Sequence, residues 1–283
     1  MDNLKLRKLK SSIAIAFSVG AALLGLFWLV FILADLIIRG ASCINWSLFT
    51  QDFVPPGLPG GGLRPAFIGQ LIIVGVAVLI GIPIGLLGGT FIAEYGRHSK
   101  IARFVSVLAD LATSIPSIVV GTFIYAIVVI PMGHFSALAG SIALAVIMIP
   151  VILKTTENML SLVPWELREA AFALGAPYYK VIFGVVYKSA LTGLITGSIL
   201  SIARIAGETA PLLFTSLNNT FLSYDLTKPM ASLTVTIYRY AMGPYDNWHR
   251  LAWAGSFVIT AFILMVTILG RLMVRWRYKS HEQ

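Results

Sequence analysis

Two charged residues stand in an otherwise apolar run, Ser189 to Ser216, at Ala203-Arg204-Ile205-Ala206-Gly207-Glu208-Thr209-Ala210-Pro211. Read as one helix, the run puts Arg204 and Glu208, four residues apart, on a single face. Stepping back by three or four reaches Ser201, Gly197 and Gly193, so that face is small and polar. Arg204 lies sixteen residues beyond Lys188, about 24 Å at about 1.5 Å per residue, which is deep in a bilayer. An arginine there costs at least about 2.5–3.5 kcal/mol. Glu208 offsets part of this, but a pair that only neutralises itself gains little over two apolar residues. A guanidinium offers a planar fork of donors that suits a tetrahedral oxyanion. Two readings stand: Arg204 lines a solute path with Glu208 holding or releasing it, or the two form a structural pair that fixes helix register.

The rest of the chain is what must position those charges. Of its 283 residues 58% are hydrophobic and only 12% are charged, and its mean hydropathy is +0.87. A soluble domain of this length needs more polar surface. The apolar residues fall in runs near the about 17–25 residues that span a bilayer. The fold class is therefore all-α, a polytopic membrane protein with about six transmembrane helices. The net charge of +9 does not point to nucleic acid, because Lys and Arg cluster at span ends, as topology requires. Cys43 is the single cysteine, which excludes an intrachain disulfide and a cysteine-based metal site.

Residues 1–66 hold a basic tail with Lys5, Arg7, Lys8 and Lys10, a first span over about 13–38, and a Pro/Gly-rich external segment. The first run is too long for a signal-peptide core and reads as a retained helix. Asp35 and Arg39, four apart near its outer end, are placed to pair or to snorkel. Residues 67–274 hold five further spans. The second, about 67–92, carries Gly81-Ile82-Pro83-Ile84-Gly85 and Gly88-Gly89, small residues that let helices approach closely. Glu94, Arg97, Lys100 and Arg103 mark a cytoplasmic turn. The third, about 101–130, is interrupted at Ser114-Ile115-Pro116-Ser117, where proline frees a carbonyl and invites a kink. Asp110 within it either pairs structurally or serves a pathway.

Pro131-Met132-Gly133-His134 is a short external turn. The fourth span, about 137–153, is short, with Lys154 at its inner end and a loop over 155–188 beyond it. After the fifth span, residues 217–250 form a long external segment containing Tyr238, Tyr240, Tyr245 and Trp248. It is either a surface for an external partner or an interfacial helix with an aromatic belt. The last span, about 251–273, leads through Arg271, Arg275, Arg277 and Lys279 into a cytoplasmic tail at 275–283. About fifteen Lys and Arg residues fall on the assigned inside and about five outside, so both termini are placed in the cytoplasm.

The stretch from Pro164 to Lys188 reads as two short amphipathic helices broken near Gly175-Ala176-Pro177, since glycine permits a reversal and proline restarts a helix. Leu160, Leu162, Val163, Trp165 and Leu167 give it an apolar flank suited to a groove on another protein. Its run Glu169-Ala170-Ala171, three residues, then Gly175 resembles the cytoplasmic coupling loop of ABC importer permeases. The run from Ala203 to Phe214 resembles the fifth-span signature of the PstA-type phosphate importer permeases. Ser114-Ile115-Pro116-Ser117-Ile118-Val119, Lys154-Thr155-Thr156-Glu157 and the Pro/Gly-rich external segment carry the same resemblance along most of the chain. One departure is Tyr187-Lys188, where many such permeases have Leu-Pro.

The resemblance implies a type I ABC importer permease fold in a bacterial inner membrane, and a half-channel. Such permeases pair with a second, related permease subunit. A dimer of cytoplasmic ATPases grips the loop, here Glu169, Ala170, Ala171 and Gly175, and a periplasmic binding protein delivers phosphate. ATP and Mg²⁺ belong to the ATPase, and no Gly-x4-Gly-Lys-Ser/Thr occurs in this chain. The resemblance puts Arg204 and Glu208, with Lys154, Ser201 and Thr209, on the substrate path or its gate. Other readings are a permease for another oxyanion such as molybdate or sulfate, and an ATP-independent channel or carrier using Glu208 as a proton relay, which would not need the loop. Enzyme chemistry finds no support: His-Glu-x-x-His is absent, and His98, His134, His249 and His281 all fall in loops or the tail.

Overall fold

A chain this apolar must satisfy its backbone internally, and helices do so segment by segment. The computed structural model describes residues 2–96 and 99–279, and of residues 2–3 and 273–279 the backbone alone. Arg97, His98 and His281 lie outside the described residues, as do the side chains of Arg275, Arg277 and Lys279. The described elements are helical: α1 Asp2–Ala41, α2 Ser47–Thr50, α3 Arg64–Tyr95, α4 Lys100–Ser114, α5 Ser117–Met132, α6 Ala137–Ser161, α7 Trp165–Ala173, α8 Tyr178–Ala206, α9 Ala210–Thr215, α10 Leu233–Ala241 and α11 Asp246–Lys279. Five of these (α1, α3, α6, α8 and α11) are long and apolar enough to cross a bilayer, and α4 with α5 makes a sixth span bent by 106°. The bend falls at Ile115-Pro116, as the sequence predicts.

The core is the contact of α3 with α6. Gly81, Gly85 and Gly89 recur every four residues and line one face of α3. A Cβ at Gly85 would lie 2.6 Å from Cβ of Ile152, and one at Gly89 would lie 2.5 Å from the Leu153 carbonyl. The glycines therefore set how closely the two helices approach, and Ile73, Ala77, Leu144, Met148 and Ile152 fill the space around them, fully buried. By contrast α1 lies on the outside with its apolar side chains exposed. Near its outer end Gly40 abuts Phe257 of α11, Arg39 pairs with Asp35 at 2.7 Å, and the guanidinium lies 5.3 Å from the Trp253 ring.

Two helix boundaries differ from expectation. The fourth span does not stop at Lys154: α6 continues through Lys154-Thr155-Thr156-Glu157 to Ser161. Polar residues do not end a helix when each finds a partner, and here Thr156 donates to the Ile152 carbonyl while Lys154 and Glu157 bond to α4. The helix ends at Leu162, two residues before Pro164, whose ring disfavours helical geometry just ahead of it. Likewise the second half of the loop is no separate short helix. After Pro177 the chain enters α8 and stays helical to Ala206, through a π turn at Ile182–Val186. Tyr187-Lys188 therefore sits inside a helix, and the Tyr187 hydroxyl bonds to that of Thr90 at 2.6 Å.

The outer segment after α9 folds back onto the bundle. Met230, Ala231 and Leu233 to Thr236 are buried. Tyr240 stacks on Trp248 at 4.7 Å, and burial pushes its phenol up to about 12. Tyr240 is buried and Trp248 half-buried, whereas Tyr238 remains exposed.

Candidate functional site

The fifth span breaks where its charges lie. Proline cannot continue a helix past the carbonyl four residues before it, and Pro211 stands four residues after Gly207. Accordingly α8 ends at Ala206 with Gly207 as its cap, and α9 starts at Ala210 with Pro211 in its first turn. Arg204 and Glu208 therefore do not share one continuous helix, and the expected pairing across a turn is not made. Among the described residues the Arg204 guanidinium has neither an ion pair nor a hydrogen bond. Its side chain is exposed and lines a cavity of about 50 Å³ together with Thr113, Ile115 and Ser117 from the α4–α5 bend and Val146 and Ile147 of α6. Two breaks in two spans thus meet at this guanidinium.

Glu208 and Thr209 lie in the break, half-buried. The Glu208 carbonyl accepts from the Thr234 hydroxyl at 2.9 Å, so α10 holds the break in place. The small face behind Arg204 is a packing seam. A Cβ at Gly193 would lie 2.2 Å from Met159 Sδ, and one at Gly197 2.2 Å from Thr155 Cγ2. Ser201, at 2% exposure, is buried on the same seam with its hydroxyl unpartnered. Arg204, three residues on, clears the seam.

Lys154 occupies a second charged cluster in the C-terminal half of α6. Its Nζ lies 2.8 Å from Glu157 and 3.2 Å from Asp110 and donates to Ser106 Oγ at 2.8 Å. Ser106 in turn donates to both Glu157 oxygens at 3.1 Å. Asp110 thus pairs with α6 across the helix contact. Lys154 is held by two carboxylates where Arg204 is held by none.

The segment from Leu162 to Pro177 is built on a third cationic side chain that sequence reasoning did not single out. Arg168, on α7, is 1% exposed. Its Nε and Nη2 meet the two Glu94 oxygens at 3.1 and 2.5 Å. Nη2 also donates to the Leu160 carbonyl at 3.0 Å, and Nη1 to those of Val163 and Pro164 at 2.7 and 3.3 Å. All five guanidinium N–H groups are thus used. The one signal available was an acidic residue, Glu94, closing an apolar span. The partners are 74 residues apart.

With Arg168 turned inward, α7 turns Glu169 and Ala170 outward, exposed, with Ala171 half-buried behind them. The helix ends in a Schellman turn: the Ala176 N–H donates to the Ala171 carbonyl at 3.2 Å and the Gly175 N–H to that of Phe172 at 2.8 Å. Gly175 takes φ +77, a conformation that penalises any Cβ. Leu162, Trp165, Leu167 and Leu174 form an exposed apolar rim, while Leu160 and Val163 are buried within the chain.

Residues 81–279 match the family model of binding-protein-dependent transport system inner membrane components. The chain is 48% identical to the phosphate transport system permease protein PstA of Yersinia pestis, over 94% of this chain and 90% of that one. It is 49% identical to the protein of the same description from Pasteurella multocida, over 94% and 95%. It is 35% identical to the probable phosphate transport system permease protein PstA of Methanocaldococcus jannaschii, over 93% of each. Among solved structures, the MetNI methionine ABC transporter in an inward-facing form superposes with a TM-score of 0.63, covering 75% of this chain and 94% of that one at 21% identity. The type I ABC importer permease fold is thereby established for this chain, and so is its nature as a transport subunit without catalytic chemistry of its own. It belongs to the binding-protein-dependent transport system inner membrane component family, among the permeases of PstA type.

Proposed function

We propose that the chain is the permease subunit of an ATP-driven inorganic phosphate importer and forms half of its translocation path. It pairs with a second, related permease subunit. Its α7 docks into a dimeric cytoplasmic ATPase, which supplies ATP and Mg²⁺, and a periplasmic binding protein brings phosphate to the outer end. Both termini lie in the cytoplasm of a bacterial inner-membrane protein. The observation that carries the substrate reading is the unpaired, exposed guanidinium of Arg204 where two spans break, in a chain about half identical to phosphate permeases. An arginine with no internal partner, in a setting where charge is expensive, is explained by a passing anion. Glu208 and Thr209 gate that point from the break, Ser201 backs it, and Lys154 is a further station toward the cytoplasm. Glu169, Ala170, Ala171 and Gly175 carry the ATPase contact.

The test is ATP-dependent phosphate uptake by vesicles holding the reconstituted complex. Arg204→Gln should abolish uptake with ATPase assembly intact, and Glu169→Lys should lose assembly or coupling. Undiminished uptake by Arg204→Gln would remove that residue from the path. Uptake without ATPase subunits would favour the unaided carrier, and preference for sulfate or molybdate would move the substrate to another oxyanion.

A further inference from the structure

We propose that Arg168 is the positioning residue that makes the coupling helix move as one body with three membrane spans. The proposal rests on the importer reading above. Arg168 does not face the surface that docks; its guanidinium is sealed inside. It donates to the Leu160, Val163 and Pro164 carbonyls across the junction of α6 and α7, where helix ends are short of N–H donors. It grips the inner end of α3 through Glu94. The first residue of α8, Tyr178, joins the same knot, donating from its hydroxyl to the Glu94 carbonyl at 2.7 Å, with its ring stacked on Phe172 of α7 at 5.7 Å. The knot around this buried cation therefore fastens α7 to α3 and α6 through Arg168 and to α8 through Tyr178, and the last two carry Lys154 and Arg204.

The compliance of the device is placed beside the knot. Glu94 lies in the π turn Phe91–Tyr95, and α8 has its own π turn, Ile182–Val186, one turn beyond Tyr178. A π turn carries one more residue than the α-helix accommodates and recurs where helices shift. A push on α7 thus moves the clasped ends together, and the spans flex just above them. With the clasp loosened, the ATPase still docks on the exposed face and still turns over, but its motion no longer reaches the path.

The experiment measures phosphate taken up per ATP hydrolysed, in vesicles holding the whole complex, for Tyr178→Phe, Glu94→Gln and Arg168→Lys, with co-purification of the ATPase as the assembly check. Tyr178→Phe releases only the α8 leg and should lower the ratio a few-fold. Glu94→Gln and Arg168→Lys should lower it about tenfold or more, the scale of one lost charge-assisted contact, with hydrolysis retained. A wild-type ratio in assembled variants, or loss of assembly in all three, would overturn the proposal and leave the knot a folding element only. If the unaltered complex takes up no phosphate, the importer reading fails, and that outcome is distinct from either of these.

Discussion

Arg168 on α7 and Arg204 near the far end of α8 are the same side chain held in opposite ways. One is sealed, with every donor matched to a carboxylate or carbonyl. The other is exposed and unmatched among the described residues, where a helix has been interrupted. A saturated guanidinium has no capacity left for a ligand and can only hold structure. An unsaturated one contributes nothing to holding the fold and is available to an anion. Charge alone does not separate the roles; the count of donors already used does.

The sharpest way to break this contrast is to make one change at both places. Arg168→Met leaves the Glu94 carboxylate buried without its cation and takes the guanidinium donors from three carbonyls, and should destabilise the folded chain by about 3–5 kcal/mol. Arg204→Met removes no internal contact and should stay within about 0.5 kcal/mol. Unfolding of both variants in the same detergent compares them directly. Equal losses would show that Arg204 is also structural.

A second contrast lies along α3, whose inner end must hold Glu94 over the end of α6. Gly89→Val would drive a side chain into the Leu153 carbonyl and Thr156, whereas Gly75 has nothing within 4 Å. The first should cost about 1–3 kcal/mol from overpacking, and Gly75→Val less than about 1 kcal/mol, as expected of an open site. If the two variants unfold alike, close packing of α3 on α6 does not support the sealed end.

Lys154 is the intermediate case, a cation held by two carboxylates yet partly accessible. Lys154→Met should change stability by less than about 1 kcal/mol, the range of accessible pairs, and lower uptake about tenfold, the scale of one charge-assisted contact, short of the complete loss expected at Arg204. An unfolding shift as large as that of Arg168→Met would class it with the sealed arginine. Unaltered uptake would take it off the path.

Local features of the fold were legible because their causes are local. Pro116 breaks its span, Gly81, Gly85 and Gly89 form a packing face, and Gly175-Ala176-Pro177 ends one helix and starts another. The run of α6 through Lys154 to Ser161 was not legible, because the groups that satisfy Lys154 and Glu157 lie about 50 residues away on α4. Nor was the inward turn of Arg168, which sits between Glu166 and Glu169 in a stretch that reads as a solvated face. The break at Gly207 could have been read from Pro211, since a proline acts on the carbonyl four residues back. The periodicity argument for Arg204 and Glu208 passed over it.

The smallest expected effect is at the outer surface, where a carboxylate is matched yet exposed. Asp225 accepts from the N–H and the hydroxyl of Thr227 at 2.9 and 2.7 Å, with Lys228 at 3.6 Å. The Thr227 bonds first, and Lys228 after them, hold its carboxyl below the ordinary 3.8. The turn they form presents the Leu226 and Lys228 carbonyls to the Leu138 and Ala137 N–H groups at 2.8 and 2.9 Å, closing the N-terminus of α6. A group whose folded pKa is depressed lends stability above its unfolded pKa and loses it as pH falls through the folded one. Protection of the Ala137 and Leu138 amides, corrected for intrinsic exchange, should therefore be level from neutral pH down to about 5 and decline only in more acid solution. Asp225→Ala should lower protection at neutral pH and flatten that decline. Uptake should not respond, because this carboxylate lies outside both the sealed knot and the exposed cation. A variant that transported better while its α6 amides stayed protected would place Asp225 on the anion's approach, as a repelling charge at the outer mouth, and not on the scaffold.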